Sequence, residues 1–410
     1  MIVVVGAGKN GRKIRSELFD EITEVKIYDN DRRKWGSLID GVNVISLEEL
    51  IDFVEEPDNS IIVGENSPSL IHFIKDLNPA CKIFEYKNAG LAELNMSCIE
   101  EFKYDNAMEL GQKRIKDYII RMQEYKEEGK QEAYEHAKKF IEFKKQHPQV
   151  PEISSIEMTN NCNLACPNCP NSTLSFHKGY INDDVFEAAL KYIPPYKNDT
   201  VAVHCMGEPL LHPKLFHYLD KMARIGTNIC ISTNGILLDD NIGDELLRIL
   251  SCTDNSIMYI SFHTKKSVER WYEFARKYDR CPMKNNIHFF GQVLEHNQED
   301  AYKWLNELGI SEPDNHPLIR HITSHSWGGN VENRRKEYSN IEINNRIRNC
   351  YYLRKRKIAV MWDGSLRGCC YDSNATQKCG SIFDYENADI NPRGYDICRF
   401  CDPDWITNYQ

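Results

Sequence analysis

Long hydrophobic runs are missing from this chain of 410 residues. No stretch approaches the roughly 18 uninterrupted apolar residues that read as a membrane-spanning helix. The short apolar run in MIVVVGAGKNG has no basic segment before it and no cleavage site after it. A cytoplasmic protein with no membrane partner is therefore expected. An excess of positive charge is missing too. Lys and Arg total 51 against 61 Asp and Glu, for a net charge of −10. Phosphate backbones are gripped by clustered cations, so nucleic acid is not an expected partner. No internal repeat is found. Cysteine, by contrast, is plentiful. There are 15, three of them at 162–169 and six between Cys350 and Cys401. In a large chain with no secretion signal, such clusters point to metal or redox chemistry rather than disulfides.

Hydrophobic residues make up 41% of the chain and charged residues 27%, enough for packed cores. Residues 1–98 alternate β-rich runs (IVVV, VKIYD, SIIVG, KIFEY) with helical patterns from Asn10, Leu47 and Ser67. This predicts a small α/β unit with a parallel sheet. Residues 99–150 turn rich in Lys, Glu and aromatics at helical spacing and predict one or two amphipathic connecting helices, stopped by HPQVP. From Ile153 six strand-like runs follow: ISSIEMT, TVAVHCMG, NICISTNG, SIMYISFHT, IHFFGQVLE and LIRHITSHS. Helical patterns follow the first five. A partial or full β/α barrel over 151–335 is expected, with its active face at the C-terminal strand ends. Residues 336–410 are rich in cysteine and turn residues and predict a small metal-stapled domain.

CNLACPNC, just after the first barrel strand, offers Cys162, Cys166 and Cys169. A [4Fe–4S] cluster normally takes one thiolate per iron, so three would leave one iron open. Zinc would need a fourth ligand, and His177 is the local candidate. The spacing alone leaves both possible.

The next strand ends decide between them by resemblance. Cys-x3-Cys-x2-Cys after the first strand, GEP at Gly207, Glu208 and Pro209 after the second, and STNG at 232–235 after the third resemble the radical SAM superfamily over roughly residues 152–330. The family often has an aromatic residue before the third cysteine; here it is Asn168. The resemblance implies a cluster whose open iron is chelated by S-adenosylmethionine (SAM). One electron, from a donor such as flavodoxin or ferredoxin, then cleaves SAM to a 5′-deoxyadenosyl radical that abstracts hydrogen. It also implies that the loop of Met206, Gly207, Glu208 and Pro209 meets the SAM amino group. Ser232, Asn234 and Ser261 would lie against the cofactor, and Val293 to Asn297 would flank the adenine.

The C-terminal set supplies Cys350, Cys369 or Cys370, Cys398 and Cys401, enough for one four-thiolate site holding zinc or a cluster. Its pattern, with Gly364 opening Gly-x4-Cys, resembles the twitch form of the SPASM extension. That implies an auxiliary [4Fe–4S] cluster. SHSWGGN at 324–330 resembles the linker before such domains, and also reads as a plain glycine turn.

At the front of the chain, Gly6, Gly8 and Gly11 between a strand and a helix form the dinucleotide fingerprint, with Asp29 at the end of the second strand. A nucleotide-linked ligand or NAD(P) is expected in this Rossmann-like unit, with a purely interacting domain as the alternative. The unit resembles the small nucleotide-binding domains at the front of some sugar-modifying enzymes. The expected substrate is therefore a carbohydrate or nucleotide-linked small molecule, undergoing oxidation, epimerisation or rearrangement; the alternative is a peptide or protein. Cys205 is flagged because some epimerases of the family return a hydrogen atom from a cysteine. His263, His321, His325 and Tyr371 lie near strand ends or the C-terminal cysteines and are expected to be structural.

Overall fold

The computed structural model describes residues 107–402 apart from 174–175, 325, 328, 339–342, 344–345, 348–349, 375, 378 and 392–393. N-terminal to these it describes residues 2–5, 25–29, 32–39, 42–56, 59–63, 74, 78, 81–87 and 90–93. The chain divides into two compact units, Met1–Tyr104 and Asp105–Gln410. Among the described residues no helix is long and apolar enough to cross a membrane.

The first unit is built on β1 (Ile2–Val5), β2 (Val25–Tyr28), β3 (Leu38–Ile39), β4 (Val42–Ile45), β5 (Ser60–Val63), β6 (Lys82–Lys87) and β7 (Gly90–Glu93). Runs such as IVVV and SIIV favour strands because β-branched side chains suit a pleated surface. The sheet order is β3-β4-β2-β1-β5-β6-β7. The inner five strands are parallel, and β3 and β7 are antiparallel edges. Chain order thus reverses beside β1, the point where doubly wound sheets open a ligand crevice at their carboxyl ends. Helix α1 (Leu47–Glu55) starts on a capping box. Glu49 N donates to Ser46 Oγ at 3.2 Å, and Ser46 N donates back to Glu49 Oε2 at 2.8 Å. Asp29 closes β2; its carboxylate accepts from Lys34 Nζ at 3.0 Å and its carbonyl from Trp35 Nε1 at 2.7 Å. Gly6, Gly8 and Gly11 lie outside the described residues, as does the helical pattern from Asn10.

The second unit opens with α2 (Ala107–Glu127) and α3 (Gln131–Gln146), joined at Gly129 with φ +70°. Their apolar faces do not stand free. Tyr118, Phe140 and Ile141 join the same hydrophobic core as the strands that follow. Six strands come next: β8 (Glu152–Ile156), β9 (Val201–Ala202), β10 (Ile229–Thr233), β11 (Ser256–Ser261), β12 (Ile287–Leu294) and β13 (Ile319–Ile322). They pair in chain order, all parallel. Helices α4 (Asp183–Leu190), α5 (Leu215–Arg224), α6 (Asp240–Leu250), α7 (Lys265–Tyr278) and α8 (Gln298–Glu307) fill the five crossovers. Side-chain caps start three of them, from Asn182 to Val185 N, Asp239 to Ile242 N and Thr264 to Ser267 N.

The sheet does not end at β8. The region expected as a separate C-terminal domain adds β14 (Lys357–Val360), parallel to β8, and β15 (Leu366–Arg367), antiparallel to β14. A short α9 (Tyr351–Arg354) leads into them. The final order is β13-β12-β11-β10-β9-β8-β14-β15. One buried charge cluster ties this addition down. Glu152 at the start of β8 pairs in register with Lys357 at the start of β14. The Glu152 carboxylate contacts Arg114, accepts from Tyr118 Oη at 2.5 Å, and has Lys357 Nζ at 3.6 Å and Lys144 Nζ at 3.9 Å. These cations hold its carboxyl below the ordinary carboxylate value despite burial that would raise it.

Candidate active site

The strand faces sort the candidates. On β12, Ile287, Phe289 and Val293 are buried in the core, and a Cβ on Gly291 would meet Trp271 of α7. That face looks at the helices. Phe290, Gln292 and Leu294 look the other way, into the space the strand ends surround. Phe290 stacks on Tyr259 of β11, and the Arg320 guanidinium lies 4.1 Å from its ring. Val293, expected by resemblance to flank an adenine, therefore spends its side chain on the core. Gln292 takes the inner face instead, where its Oε1 accepts from Ser261 Oγ at 2.9 Å. Gln292 carried no motif, and only the period-2 alternation of the strand marks it. Asn297 follows β12; its Nδ2 donates to Phe262 O at 2.5 Å, and its buried Oδ1 has no partner.

Cys162, Cys166 and Cys169 sit in one loop beyond β8, with Cys169 N donating to Cys166 O at 3.2 Å. All three thiols are free and partly exposed. Burial raises each; Glu208 adds to this at Cys162 and neighbouring sulfurs at Cys166 and Cys169, bringing Cys166 up to about 12. Thiolates are metal ligands, so three clustered thiols make a candidate ligand set. Cys166 Sγ lies 3.4 Å from His263 Nδ1, and burial lowers that imidazole to about 4, so it stays neutral. His177, the fourth ligand a zinc site would want, stacks on Phe176 and meets Trp362 edge-on.

The second and third motifs are seated directly on this loop. A Cβ at Gly207 would fall 2.1 Å from Thr159 O and 2.6 Å from Asn161 O, so only glycine fits. Next to it Glu208 N donates to Asn161 O at 2.8 Å. Glu208 is buried, and its carboxylate accepts from Thr233 Oγ1 at 2.8 Å, Asn234 N at 2.7 Å and Leu210 N at 3.0 Å. Its side chain thus locks the loop after β9 to the end of β10. Met206 is buried, and its carbonyl accepts from Asn171 Nδ2 at 2.7 Å. Pro209 begins the short turn that follows. Asn234 Nδ2 donates to Asn163 Oδ1 at 2.7 Å, and its side chain also reaches Cys162. Ser232 N donates to His204 Nδ1 at 3.1 Å; burial lowers His204 to about 4. The structure therefore brings the cysteine loop, the GEP loop and the STNG turn into one contiguous site.

Asn168 stands where the family often has an aromatic residue. Trp327, from the WGG stretch, donates its indole N–H to Asn168 O at 3.1 Å, and Arg334 Nε donates to Asn168 Oδ1 at 3.3 Å. Trp327 takes φ +52° and meets Tyr371 edge-on at 5.2 Å. An aromatic side chain thus reaches this point from 159 positions downstream. His321 pairs with Asp314 at 3.1 Å, away from the cysteines, and His325 lies outside the described residues.

Cys350, Cys369, Cys398 and Cys401 line one cavity, together with Arg346, Tyr371 and Tyr395. Cys401 N donates to Cys398 O at 3.3 Å, the same turn as in the first loop. Cys370 faces elsewhere and donates its thiol to Tyr352 Oη at 3.3 Å. Cys379 lies 3.3 Å from Tyr395 Oη. Gly364 takes φ +85° in the turn between β14 and β15. A Cβ at Gly368 would fall 2.0 Å from Tyr395 Oη, so glycine lets that ring close over the cavity. Burial raises all four thiols. Among the described residues, no three His, Cys, Asp or Glu side chains converge tightly enough to hold a single metal ion. Cys205 follows β9, close to Ser155 of β8 and to Glu157. Its thiol donates to Ser155 Oγ at 3.8 Å, and burial pushes it well up, with Glu157 and Cys370 adding to the effect, so it keeps its hydrogen.

The profile of the radical SAM superfamily matches residues 156–323. Residues 156–323 carry a radical SAM domain. Members of that superfamily are enzymes built around a [4Fe–4S] cluster and SAM, and the match begins at the last residue of β8 and ends just past β13. A cofactor-modifying protein for tungsten-containing aldehyde ferredoxin oxidoreductase from Pyrococcus furiosus is 30% identical over 165 residues. That alignment takes in 38% of this chain and 40% of the relative, so less than half of either protein is shared. BtrN, solved in complex with AdoMet and 2-DOIA, is 15% identical with a TM-score of 0.41, over 63% of this chain and 96% of that one. SuiB of Streptococcus suis, solved bound to precursor peptide SuiA, is 13% identical with a TM-score of 0.38, over 68% and 72%.

Proposed function

We propose that this radical SAM enzyme acts on a carbohydrate or nucleotide-linked small molecule. Cys162, Cys166 and Cys169 would hold the cluster that SAM completes, and Cys350, Cys369, Cys398 and Cys401 an auxiliary [4Fe–4S] cluster. The observation that carries the reading is the seating of the GEP loop on the cysteine loop through Gly207 and Glu208, which leaves three thiols clustered at one mouth of the sheet. The donor set fits. Thiols are soft ligands suited to iron–sulfur clusters, and the four C-terminal thiols share one cavity. When bound, the first cluster and SAM supply a carbon-centred radical that takes hydrogen from the substrate.

The chain's own residues position and shield. Glu208 and Gly207 fix the loop that would meet the SAM amino group, through backbone carbonyls that its side chain does not occupy. Ser261, Gln292 and Asn297 offer polar atoms along the inner face. The buried His263 and the Phe290–Tyr259 stack add uncharged and apolar surface beside it, which suits a reactive radical. Cys205, with its S–H retained, is the candidate hydrogen donor on an epimerisation route. The strand order of the first unit and Asp29 at the end of β2 support a nucleotide-linked ligand there, or NAD(P). The expected electron donor is a flavodoxin or ferredoxin.

The test uses the full chain, reconstituted without oxygen. Iron near eight per chain, roughly two cubes, and 5′-deoxyadenosine formed from SAM and dithionite are expected. Nucleotide sugars should raise the melting temperature by mass action. Absence of 5′-deoxyadenosine would defeat the reading. Stabilisation by peptides and not by nucleotide sugars would move it to peptide modification.

A further inference from the structure

The three sulfurs of the first loop do not share their surroundings. A backbone N–H acts on two of them, that of Leu164 on Cys162 and that of Asn171 on Cys169, each two residues further along the chain. The Asn234 side chain also reaches Cys162. Among the described residues no backbone N–H acts on Cys166. Its contact is a side chain 97 positions downstream, His263, whose Nδ1 lies 3.4 Å from Cys166 Sγ. Sulfur is larger than oxygen, so this is hydrogen-bond distance.

His263 is firmly seated two residues past β11. Phe262 N donates to Gln292 O at 2.9 Å, and His263 N donates to Ser261 O at 2.9 Å. On the other side Thr264 starts α7, its Oγ1 accepting from Ser267 N at 3.2 Å. The backbone on both sides of the imidazole is therefore fixed, and the ring is held against Cys166. When Cys166 binds iron it does so as a thiolate, which accepts and cannot donate. A hydrogen bond then requires the hydrogen on Nδ1 of His263, and the other ring nitrogen is left as an acceptor.

Hydrogen bonds to the sulfurs are among the levers that set the potential of an iron–sulfur cluster, and groups that touch the ligands tune metal sites generally. The reason is charge. Reduction adds an electron whose charge spreads onto the sulfurs, and an N–H aimed at one of them holds the reduced state more tightly than the oxidised. We propose that His263 donates from Nδ1 to the Cys166 sulfur and by this bond raises the reduction potential of the cluster bound at Cys162, Cys166 and Cys169. His263 acts through the cysteine and is a positioning residue. The proposal rests on the cluster reading above and names the side chain that tunes it.

The test is potentiometric titration of the reconstituted full chain, followed by electron paramagnetic resonance. The first cluster is the one whose signal changes when SAM is added. Phenylalanine fills the space of the imidazole without a donor, so His263→Phe should lower the midpoint of that cluster. The expected shift is at least tenfold in the reduction equilibrium, about 59 mV for one electron. The midpoint of the second cluster should stay where it is. Asparagine carries its amide nitrogen as many bonds from Cβ as Nδ1 is, so His263→Asn should recover at least half of the shift, which a merely space-filling role would not allow. Pulsed resonance on wild-type protein with nitrogen-15-labelled histidine should show a nitrogen coupling in the reduced first cluster, and His263→Asn should lose it. Absence of that coupling would overturn the proposal, even if His263→Phe fails to hold its iron. Equal midpoints in wild type and His263→Phe would overturn it too, while leaving the radical SAM reading in place. A wild-type chain with no SAM-responsive signal would take the cluster reading down with it.

Discussion

Gly207→Ala is the sharpest test of how the site is assembled. The new methyl carbon would start 2.1 Å from Thr159 O and 2.6 Å from Asn161 O, where ordinary contact begins at 3.4 Å. Both obstacles are backbone atoms, so no side chain can swing aside. The loop must back away by roughly 1 Å, and interiors packed like crystals yield that only at a cost. Glu208 N and Asn161 O, now 2.8 Å apart, would then pass out of hydrogen-bond range. Overpacking of about 1–3 kcal/mol plus an orphaned buried polar pair of similar size gives about 2–6 kcal/mol. For a unit of this size that is a melting shift on the order of 10 °C. The same displacement moves the SAM loop against the cysteine loop, and about 1 Å of misplacement can cost 100-fold in rate. Differential scanning fluorimetry and chromatographic assay of 5′-deoxyadenosine read both effects. A variant that melts within about 2 °C of wild type and cleaves SAM at full rate would refute the argument, because it would mean the two loops do not touch as described.

Three further outcomes are expected. Cys369→Ser should cost about half the bound iron, whereas Cys370→Ser, whose thiol faces Tyr352, should cost none; iron analysis and electron paramagnetic resonance decide. Glu152→Gln should destabilise by about 3–5 kcal/mol at neutral pH, since it leaves Lys144 and Lys357 buried beside an uncharged partner. The folded carboxyl titrates below its ordinary value of 4.5, so its contribution is full above that pH and fades as pH falls through the folded value. The stability gap between wild type and Glu152→Gln, measured by denaturant melts, should therefore narrow below pH 4.5. Cys205→Ala should leave SAM cleavage intact, and loss of cleavage would place Cys205 in the cofactor site.

Much of this was legible in the sequence because local signals carried it. Six strand runs appear in the expected order, and the three motif loops sit at their carboxyl ends, since strand periodicity and turn residues act over a few positions. Pairing between distant segments left no such mark. KIAV near the C-terminus reads as any short strand, and nothing nearby says that its partner lies about 200 residues upstream. Glu152 and Lys357 look like ordinary surface charges until the register buries them together. Resemblance pointed to Val293 to Asn297; alternation along β12 turns the Val293 side chain to the helices and brings Gln292 to the inner face. The stretch holding Trp327 read as a linker or a glycine turn; its indole reaches the cysteine loop only because the chain doubles back.

The attachment of β14 to β8 bears on how the enzyme can be cut. A chain ending before Lys357 would lose Cys369, Cys398 and Cys401, and it would also strip the ladder from one side of β8 and take Lys357 away from the buried Glu152 carboxylate. A bare, flat strand edge invites pairing with another molecule. Truncation would thus turn the chain toward self-association before chemistry could be measured. Domain-deletion experiments on this protein need to keep the hairpin through Arg367 and remove the cysteines by substitution.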